Sequence, residues 1–223
     1  MPQSTLASRP ARPRDAASLL IWRAQAQGLE VLMGRRGSRA RFVPGVYVFP
    51  GGVLEPRDRM VSARLGAHPF SLSPGLDGNV SLARALACAA VREVHEETGL
   101  QLRASVLANL RVGADAEAEA DPGTLPDLSA LRFLGRAITP TNSRMRFHAR
   151  FFAAPAASFV GELAGDGELS DLQWVSLDNP ARLPMVDVTE LMLSELALQL
   201  SGAPHQPALL SYSGDRPRLR RFS

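Results

Sequence analysis

The chain has 223 residues, 45% hydrophobic and 21% charged, so it can bury a core and is not a disordered segment. All 25 basic residues are arginine, which leaves neither a lysine nucleophile nor a phosphate-gripping P-loop lysine. The formal net charge is only +3, and the single cysteine, Cys88, excludes an internal disulfide.

Read in chain order, residues 1–15 are rich in Pro, Arg, Ser and Ala and predict a leader outside the core. Ala17 to Arg23 and Leu29 to Met33 predict two strands, and Tyr47 to Phe49 a short third that runs into Pro50-Gly51-Gly52. Residues 55–79 carry Pro69, Pro74, Gly75 and Gly78 and predict mostly loop, with a short helix near 57–65. Asn79 or Ser81 caps a helix over Leu82 to Thr98, which ends on Gly99 as its left-handed residue and buries Leu86, Ala90 and Val94. Cys88 falls in this Ala-rich stretch and reads as a small buried side chain.

Gln101 to Val112 reads as extended, and Gly113 to Asp127 as an acidic loop. Phe133–Thr139 and Phe147–Ala153 flank Pro140-Thr141-Asn142-Ser143 as a hairpin. Leu172 to Leu177 predicts a strand, and Val188 to Leu200 has helical periodicity. Interleaved strands and helices predict an α/β fold with a mixed sheet between helices. The domain is expected over 16–200, followed by an Arg-rich tail over 201–223 with Arg216, Arg218, Arg220 and Arg221. No apolar run is long enough to span a bilayer, and the N-terminus lacks the apolar core of a secretory signal, so a cytoplasmic protein is expected.

The chemistry concentrates in Arg92-Glu93-Val94-His95-Glu96-Glu97-Thr98-Gly99-Leu100. On a helix, residues three and four apart share a face. Glu93 and Glu97 therefore converge as like charges, which repel unless a cation sits between them, while Arg92 and Glu96 form a cross-turn ion pair. Converging carboxylates suit a hard cation, Mg²⁺ or Mn²⁺. Alone, such a run is more often a solvated acidic helix end. His95 turns away from the Glu93/Glu97 face, and His68, His148 and His205 have no partner at metal-ligand spacing.

Phe49-Pro50-Gly51-Gly52 followed by Arg92 to Leu100 resembles the signature of the Nudix hydrolases. Its second half, R-E-U-x-E-E-x-G-U with U aliphatic, is complete here. The first half departs from the pattern. Counted back from Arg92, the acidic position falls on Arg84; counted forward from Gly52, it falls on Asp58. The second register makes 55–79 an insertion within the box. The resemblance implies a Nudix-type α/β/α sandwich that hydrolyses a diphosphate linkage with Mg²⁺ or Mn²⁺. It implies Glu93, Glu97 and Glu96 as metal ligands, with a main-chain carbonyl of Gly51 or Pro50. It implies Arg92, Glu93 and Glu96 in the catalytic group. A downstream glutamate serves as general base, for which Glu168 is the candidate and Glu162 the alternative.

Upstream of the box, Arg36, Arg41, Gly45 and the Phe-Pro-Gly-Gly turn are similar to the motif of coenzyme A diphosphatases, although Met33, Gly34 and Gly37 depart from it. The insertion, Thr139-Pro140 and Arg144-Met145-Arg146-Phe147 are similar to features of the type-19, acyl-CoA branch. The resemblance runs from about Ser18 to Leu200. It implies a small nucleotide substrate gripped by Arg36, Arg41, Arg144 and Arg146, and homodimers. Membrane association is not expected, and nucleic acid is a weaker reading because the arginines lack interleaved aromatics. The competing readings are a diphosphatase on ADP-ribose or another nucleotide, and a Nudix-fold regulator that binds nucleotide without catalysis.

Overall fold

The computed structural model describes residues 11–38, 43–66, 70–76, 78–104, 125–165, 168–180 and 183–223. Strand β1 (Arg14–Gln25) turns back into β2 (Gly28–Arg36). The two pair only from Trp22–Val31 to Gln25–Gly28. Beyond that rung they part. β3 (Tyr47–Val48) takes the free edge of β2, and β4 (Gly51–Val53) takes that of β1. Pro50, Gly51 and Gly52 thus lie where the two strands have split, and the Pro50 carbonyl accepts the Leu19 amide at 3.0 Å.

After helices α1 (Pro56–Leu65) and α2 (Val80–Thr98) comes β5 (Gln101–Leu102), then the hairpin β6 (Arg132–Ile138) and β7 (Phe147–Pro155). β7 runs parallel to β1, and β6 antiparallel to β7. β8 (Phe159–Val160) pairs with β5 in a separate two-stranded sheet. β9 (Leu169–Ser176) covers the outer edge of β2, α3 (Asp187–Leu200) follows, and β10 (Ala208–Ser213) and β11 (Arg216–Arg221) close the chain. The main sheet is ordered β11-β10-β6-β7-β1-β2, with β3, β4 and β9 on β1 and β2 as described.

Side chains alternate along a strand, so β1 feeds two cores. Ala17, Leu19 and Ile21 join Phe133, Phe152 and the α2 stripe Leu86, Ala90 and Val94. Leu20 faces the other way, with Met33, Leu134, Phe151 and the α3 residues Met192, Leu193 and Leu196. The result is the expected α/β/α sandwich with a mixed sheet. Cys88 is buried, which pushes its thiol up to about 12 and leaves it protonated, an apolar filler.

The short helix expected near 57–65 forms as α1 and packs on α2, with Glu55 and Asp58 capping it reciprocally. Two other segments differ in detail from the sequence reading. Of the stretch Gln101 to Val112, the described residues 101–104 hold a strand at 101–102; residues 105–124, which include most of the acidic loop, lie outside the described residues. The segment 201–223 holds a β-hairpin rather than ending as a tail. Ala208, Leu209 and Leu210 are buried beside β6, and the Arg221 guanidinium grips Glu195 of α3 with two 2.8 Å bonds. Arginine density had masked the apolar run that docks it. No helix among the described residues is long and apolar enough to cross a membrane.

Candidate active site

Helix α2 is fixed at both ends. Asn79 Oδ1 accepts the Leu82 amide at 3.2 Å, and Gly99, at φ 74°, returns its amide to the His95 carbonyl at 3.0 Å. Thr98 Oγ1 donates to the Val94 carbonyl at 2.6 Å and accepts from the Leu100 amide at 3.2 Å. The last turn, which carries the carboxylates, is therefore held against β4.

There Glu97 is buried at 5% exposure, and the Gly51 amide donates to its Oε2 at 2.8 Å. The Glu93 carboxylate lies directly over Gly52, in the space a Cβ at that position would fill. Gly52→Ala is therefore expected to displace Glu93 and cut kcat at least tenfold with the fold retained; steady-state kinetics beside an unchanged circular dichroism spectrum checks it. His95 is exposed on the opposite side, as the helical spacing requires.

Arg92 organises the rest. Its Nε and Nη2 donate to the two Asp58 carboxylate oxygens at 2.8 and 3.1 Å, Nη2 also to the Val53 carbonyl at 3.1 Å, and Nη1 to Glu93 at 2.8 Å and Glu96 at 2.9 Å. A planar fork matched to a carboxylate suits this bidentate contact. The Asp58 side chain is 3% exposed and also accepts the Glu55 amide at 2.8 Å. Asp58, the acid reached by counting forward from Gly52, thus faces Arg92 and braces it. Arg84, the residue in the other register, donates to the Gly66 carbonyl. Glu96 has a second cation: Arg57 of α1 reaches it at 2.9 Å while pairing with Glu55 at 2.8 Å. Sequence reasoning missed Arg57, because its only signal was a position one residue inside the N-terminus of a short inserted helix.

Burial pushes the Glu97 carboxyl up to about 8; the charges of Glu93 and Glu168 push the same way, and the Gly51 amide and Arg36 oppose them. Burial also raises Glu93, against the pull of Arg92 and with the charges of Glu96 and Glu168 adding. Glu168, at the foot of β9, is therefore brought into the electrostatic reach of the helix pair. Glu162 lies exposed in the loop after β8. Arg36, at the end of β2, acts on Glu97, while Arg41 lies outside the described residues. Arg144 is exposed on the β6–β7 hairpin. Arg146 donates to the carbonyls of Thr139 (3.3 Å), Pro140 (3.1 Å) and Ala11 (2.7 Å), so it ties the hairpin to the start of β1.

A mixed sheet between helices, with a carboxylate helix laid on a Gly-Gly turn, is the architecture of the Nudix hydrolases, which split phosphoanhydrides. No family model matches the chain. Among solved structures it is similar to a Nudix hydrolase from Alicyclobacillus acidocaldarius, with a TM-score of 0.64 and 28% identity, over 82% of this chain and 90% of that one. It is also similar to a mutator MutT protein from Bacillus halodurans (TM-score 0.51, 15% identity, 92% and 97% covered) and a MutT protein from Methanosarcina mazei (0.50, 16%, 86% and 97%). At those identities the last two speak for the fold alone. The chain has the Nudix fold and is an enzyme of this pyrophosphohydrolase class.

Proposed function

We propose that the enzyme hydrolyses the diphosphate linkage of coenzyme A or an acyl-CoA, giving 3′,5′-ADP and the (acyl-)4′-phosphopantetheine. The observation that carries the hydrolytic reading is the crowding of Glu93 and Glu97, with Glu168 nearby, at the Gly51–Gly52 turn. Buried like charges of this kind are relieved by a divalent cation.

The donor set fits Mg²⁺ or Mn²⁺. Among the described residues no three acidic, His or Cys side chains form a ready-made metal cage. Mg²⁺ does not need one, since it commonly uses one or two carboxylates and keeps several waters. Glu93 and Glu97 would hold it, with Glu96 and the Gly51 carbonyl as further oxygens. When bound, the ion neutralises diphosphate oxygens and acidifies a water.

The remaining work falls to side chains. Arg92, locked by Asp58, keeps Glu93 and Glu96 in place. Glu168 takes the proton of the attacking water. Arg36 meets the 3′-phospho-ADP end, where a guanidinium suits a phosphate. Arg41, Arg144 and Arg146 complete the proposed grip, with Arg146 also bracing its hairpin.

The test is incubation with Mg²⁺ or Mn²⁺ and a panel of CoA, acyl-CoA, ADP-ribose, NADH, dinucleoside polyphosphates and capped RNA, with products identified by mass. The expected products are 3′,5′-ADP and 4′-phosphopantetheine from CoA. Turnover of ADP-ribose alone would overturn the substrate and spare the enzyme class. Glu168→Gln should lower kcat by roughly 10²- to 10⁴-fold with KM little changed; full kcat in that variant would remove Glu168 from the mechanism.

A further inference from the structure

The register of the main sheet draws one continuous rung across six strands: Gly52–Ala17–Arg150–Arg136–Leu209–Arg220. Residues directly opposite one another share a face. Gly52 and Ala17 face α2, so Arg150, Arg136 and Arg220 do too. At about 4.8 Å per strand, the rung carries the catalytic face about 24 Å outward from Gly52 to the sheet edge.

At that edge β11 has all six side chains exposed. Alternation puts Arg216, Arg218 and Arg220 on the α2 side and Arg221 on the other. Only Arg221 is used internally, on Glu195. Among the described residues the other three have no acidic partner. The nearest acid in sequence, Asp215, is bonded to Asn142. Phe222 lies on their side but is half-buried, packed against Gly75 with its ring 4.8 Å from the Arg136 guanidinium, and it anchors the end of the strand.

We propose that this edge of the β10–β11 hairpin docks single-stranded nucleic acid through its phosphates. Three cations stand in a line with about 7 Å between neighbours. A linear, repeating polyanion is complementary to that arrangement, and a cationic track along the backbone is how single strands are held without sequence preference. A membrane surface fits less well, because the exposed apolar side chain of this strand, Leu219, points to the opposite face.

The probe is a fluorescein-labelled oligothymidylate of about twelve nucleotides, followed by anisotropy with the full chain as salt is raised. Three phosphate contacts predict a log–log salt slope of about −2. Arg216→Gln/Arg218→Gln/Arg220→Gln should bind at least tenfold more weakly at low salt and flatten the slope, with an unchanged unfolding midpoint. If the triple variant fails to fold, Arg218→Gln alone should reduce the slope by about 0.7. No binding by the unmutated chain, or a slope and affinity that the substitutions leave unchanged, would overturn the proposal. So would binding to phosphatidylserine vesicles without binding to the oligonucleotide.

Discussion

Glu97→Gln is expected to lower kcat by on the order of 10³-fold, because ligation of a divalent ion at the reacting diphosphate contributes several kcal/mol of transition-state stabilisation. The fold should survive, since the amide oxygen of glutamine can still accept the Gly51 N–H that Glu97 accepts at 2.8 Å.

The same substitution has a pH signature. In the metal-free protein the Glu97 carboxyl is raised from 4.5 to about 8. A raised carboxyl means the folded state holds its proton where the unfolded chain has lost it. Its stabilising contribution is therefore complete below about pH 4.5 and is lost as the pH climbs towards 8. Thermal unfolding in chelator should show stability falling across that window in the unmutated chain, and a flatter profile in Glu97→Gln. Metal acts in the opposite sense, because the ion competes with the proton. The rise in Tm on adding Mg²⁺ should grow as the pH increases, and should be largely absent in the variant. Full turnover by Glu97→Gln, or superimposable pH profiles, would remove Glu97 from the metal site.

Asp58→Ala is the second large effect. It strands the Arg92 guanidinium, whose side chain is 13% exposed, without its bidentate partner. Glu93 and Glu96 still offset the Arg92 charge, so the loss is that of buried donors left without an acceptor, about 1–3 kcal/mol. Urea unfolding should show that loss, and activity should fall as well, because the same guanidinium positions Glu93 and Glu96. The combined replacement Asp58→Leu/Arg92→Met should recover much of the stability and none of the activity. That separation distinguishes a brace from a ligand: if Asp58 held metal instead, Asp58→Ala would leave urea stability nearly unchanged and abolish the Mg²⁺-dependent rise in Tm.

The two largest predictions came from different depths of reading. Glu93 and Glu97 were legible because the four-residue spacing on a helix is local, and the helix itself was marked by its apolar stripe, the Asn79 cap and Gly99. The burial that raises Glu97 was not legible, since it depends on β4 being laid across the last turn. Asp58 could be found only by counting from Gly52, and the count could not choose between a metal ligand and a brace; thirty-four residues separate it from Arg92 in sequence, and α1 folding back on α2 joins them. The arginines show the converse limit. Arg146 read in sequence only as a substrate clamp like Arg36, and its bonds to the backbone carbonyls of its own hairpin could not be seen there. In the same way Arg216 to Arg221 looked like a solvated end, although the apolar Ala208-Leu209-Leu210 before it docks a hairpin onto the sheet.

By itself the sequence determined the alternation of strands and helices, the central helix with its paired carboxylates, and the glycine turn, all of which depend on periodicity and short-range geometry. The tertiary structure alone decided which turn meets which helix, which acid braces Arg92, and where each arginine spends its charge. Those outcomes depend on burial and on contacts between residues far apart in the chain, and a side chain's solvation and partners exist only once the elements have packed.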